Sequence, residues 1–327
     1  GNYALSQAQM NANAVEVYKY FSGRGWSLNA IAGILGNMQS ESYVNPGVWQ
    51  SLNEGNYSGG FGLVQWTPAT NYTNWATANG YSITDPNGQL YWIDALSEST
   101  GQWIPTSSYN MSWGAFKTSG SSPEDLASAF LKNFERAGVE VESARRSQAR
   151  SFYNLLSQYG ANSKAIESAV EWAIGIANDN SHGYDQGNRW GPDYDCSSLL
   201  ITAYQQAGIK VKDAGATYTG NMYAAFKTCG FEDVTGLVNL SSGSGVQRGD
   251  ILLNVASHTA MSIGNGQVVQ ASQNENGGAT GGATGDQTGR EIWCTSYYNF
   301  PWDYVLRLPG GGAVTPTGVY IVRWIPG

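Results

Sequence analysis

The chain has 327 residues, 41% apolar but only 13% charged, with a net charge of −8 at pH 7 and no basic run. A chain of this length is expected to form about two packed domains, and its acidic balance argues against a nucleic-acid partner. Three unclustered cysteines and two histidines form no metal-ligand pattern, and no apolar run is long enough to span a bilayer. No metal, cofactor or membrane insertion is therefore expected.

In chain order, apolar spacing predicts helices over 13–21 and 28–41, the second capped by Ser27, and another over about 87–97. Ser122-Pro123-Glu124-Asp125 is a helix start, with an N-cap, a proline at the first position and acids in the first turn. That helix is expected to reach about Arg136, with a further one over 143–158. Glu41 shares a stripe with Ile34 and Met38 and lies at a helix C-terminus. Burial and the helix dipole would both raise its pKa, as a general acid for glycosidic cleavage needs; otherwise it is a solvated glutamate on a frayed turn. Twelve tryptophans, twenty tyrosines and frequent amides suit contact with sugars.

Residues 10–158 resemble the phage tail lysozyme family through Ala32-Gly-Ile-Leu-Gly-Asn-Met-Gln-Ser-Glu41-Ser, Asn45-Pro46 and Gly59-Gly-Phe-Gly-Leu-Val-Gln65-Trp66-Thr67, with a weaker match over 130–136. The resemblance implies a helical lysozyme-like fold in which Glu41 is the acid and the Gln65-Trp66 turn lines the sugar cleft. Glu54, in the loop before the glycines, is the leading candidate for a second carboxylate, whose separation from the first would predict retention or inversion.

Residues 160–164 read as a short polar linker, after which 165–177 form a helix opening the second domain. A turn-rich stretch from Tyr184 to Asp195 ends at Cys196, which starts a helical pattern. A sulfur at a helix N-terminus feels the positive end of the dipole, which favours thiolate, and the free N–H groups there suit an oxyanion. The alternative is a small buried cysteine.

His258 begins a strand, and a base on a strand opposite a thiol on a helix fits a nucleophile–base pair. His182 reads as a loop residue instead. After the turn at Gly264-Asn265-Gly266, a two-residue loop would put Gln270 on the face opposite His258, and a three-residue loop on the same face. On the same face Gln270 would orient the imidazole.

Residues 164–309 resemble the NlpC-type cysteine peptidases, a papain-like fold, and within them the Pal-like phage amidase branch. The shared pieces are Tyr184 twelve residues before the thiol, Asp195-Cys196-Ser197-Ser198, Arg248-Gly249-Asp250-Ile251, His258-Thr-Ala-Met with a polar residue twelve further on, and Trp302-Asp-Tyr-Val-Leu-Arg307-Leu. The resemblance implies Tyr184 near the oxyanion or substrate, Asp195 beside the substrate, and a polar third residue. That residue is often His in the family; here it is Gln270, with Asn274 in reserve. A Gly/Asn/Thr-rich segment over 272–289 either flanks the thiol cleft or is a flexible insertion. Cys229 and Cys294 have nothing in the sequence to pair them.

The expected architecture is α+β: a helical lysozyme-like domain over 1–160, a papain-like α+β domain with an antiparallel sheet over 161–309, and a linker with a possible further module over 310–327. The two resemblances imply a peptidoglycan hydrolase with a glycan-cleaving head and a Cys/His head. The second would cut as an N-acetylmuramoyl-L-alanine amidase or a D-glutamyl endopeptidase. The expected partners are bacterial peptidoglycan and phage tail components, and the expected location is the bacterial cell wall. The rival is a non-catalytic wall-binding or tail structural protein on the same folds.

Overall fold

A computed structural model describes residues 1–136 and 142–310; the expected linker and module beyond 310 lie outside the described residues. The fold is α+β, and the chain divides between Gln158 and Tyr159 into two compact units.

The first unit is helical: α1 (Gln7–Ser22), α2 (Leu28–Ser42), α3 (Thr70–Ala78), α4 (Pro86–Leu96), α5 (Trp113–Lys117), α6 (Pro123–Phe130) and the first part of α7 (Glu142–Ala177). Ser27 caps α2 by accepting the Ala30 N–H at 3.1 Å, and Ser122 caps α6 through Asp125 N–H at 3.1 Å. Two glycines of α2 allow its neighbours to approach closely. A Cβ on Gly33 would lie 2.9 Å from Leu126 of α6, and one on Gly36 only 2.4 Å from the Arg145 carbonyl of α7. Trp26, Trp103, Trp113, Phe116 and Phe130 pack together in the core beneath these helices.

Two expected boundaries differ. The helix starting at Pro123 does not continue in α form to Arg136. It changes at Leu131 into a π-helical turn, Leu131–Glu135, closed by Arg136 in left-handed backbone. Residues 160–164 are not a linker but part of the unbroken helix α7. Without a proline, a glycine costs a helix only about 1 kcal/mol, and the neighbouring Asn162 is buried with its amide donating to the Pro309 carbonyl at 2.7 Å.

The second unit sets the rest of α7, α8 (Cys196–Gln206) and α9 (Thr219–Thr228) against a six-stranded antiparallel sheet. Its strands are β1 (Glu232–Asp233), β2 (Ile251–Asn254), β3 (His258–Gly264), β4 (Gln267–Ala271), β5 (Ile292–Ser296) and β6 (Tyr304–Arg307), in the order β1-β6-β2-β3-β4-β5. Leu199, Leu200, Ala203 and Tyr204 of α8 join Met261 and Val269 of the sheet in one core. The Arg-Gly-Asp segment serves as framework. Arg248 pairs with Glu167 and Glu171 of α7, and the buried Asp250 receives Arg307 of β6 through two bonds of 2.8 and 2.6 Å. All three cysteines are free.

Candidate active sites

The candidate site of the first unit is a cleft of about 460 Å3 whose walls include Glu41, Glu135, Gln65, Trp66, Tyr43 and Trp49. Glu41 ends α2 half-buried, and its carboxylate receives Arg145 Nη2 at 2.5 Å. The same guanidinium gives Nη1 to Glu135 at 2.7 Å. Arg145 is buried and comes from the turn of α7 that Gly36 admits. Burial, reinforced by the neighbouring Glu41, pushes the Glu135 carboxyl well above the usual carboxylate range, although Arg145 pulls the other way.

Sequence reasoning missed Glu135. It follows a helix whose periodicity points Phe130 and Phe134 inward, and nothing local marks the carboxylate after them as facing Glu41, which is ninety-four positions away. Glu54, the expected second carboxylate, is exposed in its loop and does not line the cleft. Trp66 borders the cleft but is only 2% exposed; it stacks on Tyr72 at 4.5 Å and meets Trp92 edge-on, so its face belongs to the core. Gln65 shapes the cleft turn, its amide donating to the Val48 and Gly62 carbonyls at 3.1 Å.

The backbone around this cleft is strained. Seven described non-glycine residues have positive φ, and five of them (Tyr43, Ser51, Leu52, Gln65 and Arg136) line it. Left-handed backbone costs such residues on the order of 1–2 kcal/mol each, and this strain is concentrated where a ligand would lie.

In the second unit Cys196 is the first residue of α8, and Asp195 is its N-cap. One Asp195 oxygen accepts the Ser198 N–H at 2.6 Å and the Ser197 hydroxyl at 2.8 Å; the other accepts Arg189 Nη1 at 2.7 Å. With its oxygens engaged inside the protein, Asp195 holds the start of the helix rather than offering itself to substrate. Cys196 is 7% exposed, and the nearby backbone N–H groups of Thr259, Ser197 and its own residue favour the thiolate. Burial and then the Asp195 carboxylate outweigh those donors and push the thiol up to about 11. The expected resting thiolate is not what this environment favours, because desolvation of a buried sulfur exceeds the benefit of the helix terminus.

Thr259, which meets the sulfur, directly follows His258 at the start of β3. Burial lowers the His258 pKa, with the bond to Gln270 opposing that shift. The turn resolves the register by a route outside the two expected ones. Asn265 and Gly266, both at positive φ, form a two-residue loop, and a bulge between Ser262 and Gly264 shifts the strand so that Met261 faces Val269. The extra residue returns Gln270 to the face of His258, and Gln270 Oε1 lies 2.8 Å from His258 Nε2.

The same oxygen accepts the Tyr298 hydroxyl at 2.5 Å, and Phe300 and Trp302 flank the imidazole at ring distances of 5.3 and 6.0 Å. Tyr298 is pushed up to about 12, first by burial; its bond to Gln270 opposes this, and Cys196 adds to it. Tyr184 is likewise raised to about 12 by burial and Cys196, and its hydroxyl accepts Gln186 Nε2 at 3.0 Å. Tyr184 and Tyr298 both feel the Cys196 charge, and Tyr298 shares Gln270 with His258. Tyr298 was not legible in the sequence, since it sits in an irregular segment between β5 and β6.

Asn274 and His182 lie elsewhere. Asn274 ties its own loop, accepting Asn276 and Gly278 N–H groups and donating to Thr280. His182 Nδ1 lies 2.6 Å from the Pro192 carbonyl oxygen. The glycine-rich segment is anchored. Asp286 accepts backbone N–H groups from Thr288, Gly289 and Glu291, and the Ala279 carbonyl receives the Gln186 N–H, so the segment packs beside the loop that leads to the thiol.

Among the described residues no group of three or more His, Cys, Asp or Glu side chains is placed to hold a metal ion. No helix among them is long and apolar enough to cross a membrane.

Comparison with known proteins assigns each half separately. Residues 12–156 match the phage tail lysozyme family, and residues 191–269 and 268–315 match an endolysin-like domain. Over 160 residues the chain is 44% identical to "Morphogenesis protein 1" of Bacillus phage B103, covering 49% of this chain and 43% of that protein. The chain therefore spans less than half the length of that relative. Each half is thus similar to a different domain family, phage tail lysozyme and endolysin-like.

Proposed function

We propose that the protein is a two-headed peptidoglycan hydrolase. In the first head, Glu41 protonates the leaving glycosidic oxygen of a glycan strand lying in the cleft beside Gln65 and Tyr43. In the second, His258 takes the proton of Cys196 as the sulfur attacks an amide carbonyl of the stem peptide. The N–H groups at the start of α8 receive the oxyanion, and water then releases the acyl group. Because burial favours a thiol and a neutral imidazole, proton transfer accompanies attack in this reading.

Gln270 accepts the imidazole N–H at Nε2, which leaves Nδ1 as the basic nitrogen. Tyr184 stands beside the sulfur as a donor for the substrate carbonyl, and Asp195 serves as the cap that fixes Cys196. The bond cut is either that between the muramoyl lactyl group and L-alanine or one following a D-glutamyl residue. Peptidoglycan is the substrate, and phage tail components are the candidate partners.

The observation that carries this reading is the His258–Gln270 bond on the strand whose next residue, Thr259, lies at Cys196, on the same chain as a carboxyl-lined cleft within a lysozyme match. Mass spectrometry of muropeptides released from purified walls tests both heads. New reducing ends should disappear in Glu41→Gln, and new amino termini or freed lactyl groups should disappear in Cys196→Ala. A protein that releases neither product would be a wall-binding module. The burial of the thiol is the one feature that favours this second reading.

A further inference from the structure

We propose that Glu41 and Glu135 act as one carboxyl pair that holds a single proton across Arg145, with Glu135 the positioning residue that keeps a proton available to the acid. This inference rests on the glycan-cleaving reading of the cleft.

The charge balance around the pair is uneven. Arg145 contributes one positive charge, and its two terminal nitrogens reach one carboxyl each, at 2.5 and 2.7 Å. Two ionised carboxylates on one guanidinium would leave a net negative charge at a largely buried site, which adjacent carboxyls avoid by sharing a proton. Arg145 is otherwise engaged with Asn37 Oδ1 at 3.1 Å. The other charged groups near the pair are committed elsewhere. Arg136 donates to the Gly101 and Gln102 carbonyls, and Lys132 pairs with Glu142 at 3.8 Å.

The unsatisfied atom points the same way. Glu135 Oε1 is buried with no hydrogen-bond partner, as is Arg145 Nε, and the neighbouring Glu41 raises the Glu135 pKa. A carboxyl oxygen without a donor is satisfied as a hydroxyl when a second carboxyl lies within reach to share the proton. Glu135 is the more enclosed partner, at 7% side-chain exposure against 22% for Glu41, so the proton rests there when the cleft is empty.

In the reaction the proton of the pair passes from Glu41 to the glycosidic oxygen, the C–O bond breaks, and its electrons stay on the leaving oxygen. Water adds to the anomeric carbon, and the proton it releases returns to the pair.

The test combines pH profiles with infrared spectroscopy. In Glu135→Gln, Glu41 faces Arg145 alone, so the alkaline limb of kcat/KM for reducing-end release should move to lower pH by about one unit or more. Activity at neutral pH should fall by about tenfold or more. The wild type should show a protonated-carboxyl C=O band at neutral pH that shifts in Glu41→Gln. An unchanged alkaline limb in a folded Glu135→Gln protein, or no such band in the wild type, overturns the proposal. If the wild type releases no reducing ends, the glycan-cleaving reading falls, and the infrared band by itself decides whether the carboxyl pair exists.

Discussion

His258 Nε2 lies 2.8 Å from Gln270 Oε1, and the bond exists only because a bulge at residue 263 corrects a two-residue turn that would otherwise send Gln270 to the far side of the sheet. Deleting Ile263 would remove the bulge and reverse the facing of every residue before it relative to β4. A deletion variant is expected to lose amide cleavage while keeping release of reducing ends, measured on the same muropeptide digest.

The double acceptance at Gln270 Oε1 makes Tyr298 testable. Tyr298→Phe removes a neutral hydrogen bond worth about 1 kcal/mol, which corresponds to roughly a fivefold loss of amide turnover. Gln270→Leu removes the partner of the imidazole as well and should cost at least tenfold. Equal activity in all three proteins would show that the imidazole needs no orienting partner.

Thiol chemistry gives a pH prediction with a definite sign. The Cys196 thiol is raised to about 11, so its thiolate fraction at pH 7 is small and grows about tenfold per pH unit. Iodoacetamide labelling of Cys196, followed by peptide mass spectrometry, should accelerate steadily between pH 7 and 9. A rate already at plateau by pH 7 would mean a resting thiolate–imidazolium pair.

Asp195→Ala removes an N-cap and also leaves Arg189 without its carboxylate. The cap alone is worth about 1–2 kcal/mol, so the melting temperature should fall along with amide cleavage. Cys196→Ala should leave the fold intact and lower amide turnover by about a thousandfold or more.

Trp66 separates packing from sugar contact. With its ring on Tyr72 and Trp92, Trp66→Ala is expected to destabilise the first unit by about 3–5 kcal/mol. Chemical denaturation measures this directly; a fully stable variant with only weakened wall binding would place the ring on the ligand side instead.

How far the sequence could be read depends on distance along the chain. The start of α8 at Cys196, the strand at His258 and the cap at Ser122 follow from neighbouring residues, and they stand where local chemistry puts them. Glu135 and Tyr298 could not be found in this way. Each acquires its meaning from a partner tens of residues away, Glu41 and Gln270 respectively, and helical or strand periodicity says which side is buried but not what waits there. The expectation of a resting thiolate failed for a related reason. A helix terminus is visible in sequence, whereas the desolvation that outweighs it at Cys196 is a property of the assembled interior. Residues 160–164 looked like a linker because composition suggested a break, yet α7 runs through them.

The twisted rim of the first unit's cleft has a consequence for any attempt to harden the protein against heat. Consensus-style exchanges of Leu52 or Ser51 for glycine or asparagine would relax the main chain and raise the melting point. They would also let the groove wander, so sugar turnover should decline as thermal tolerance improves. Variants selected for longevity and variants selected for speed are expected to diverge first at these same few positions.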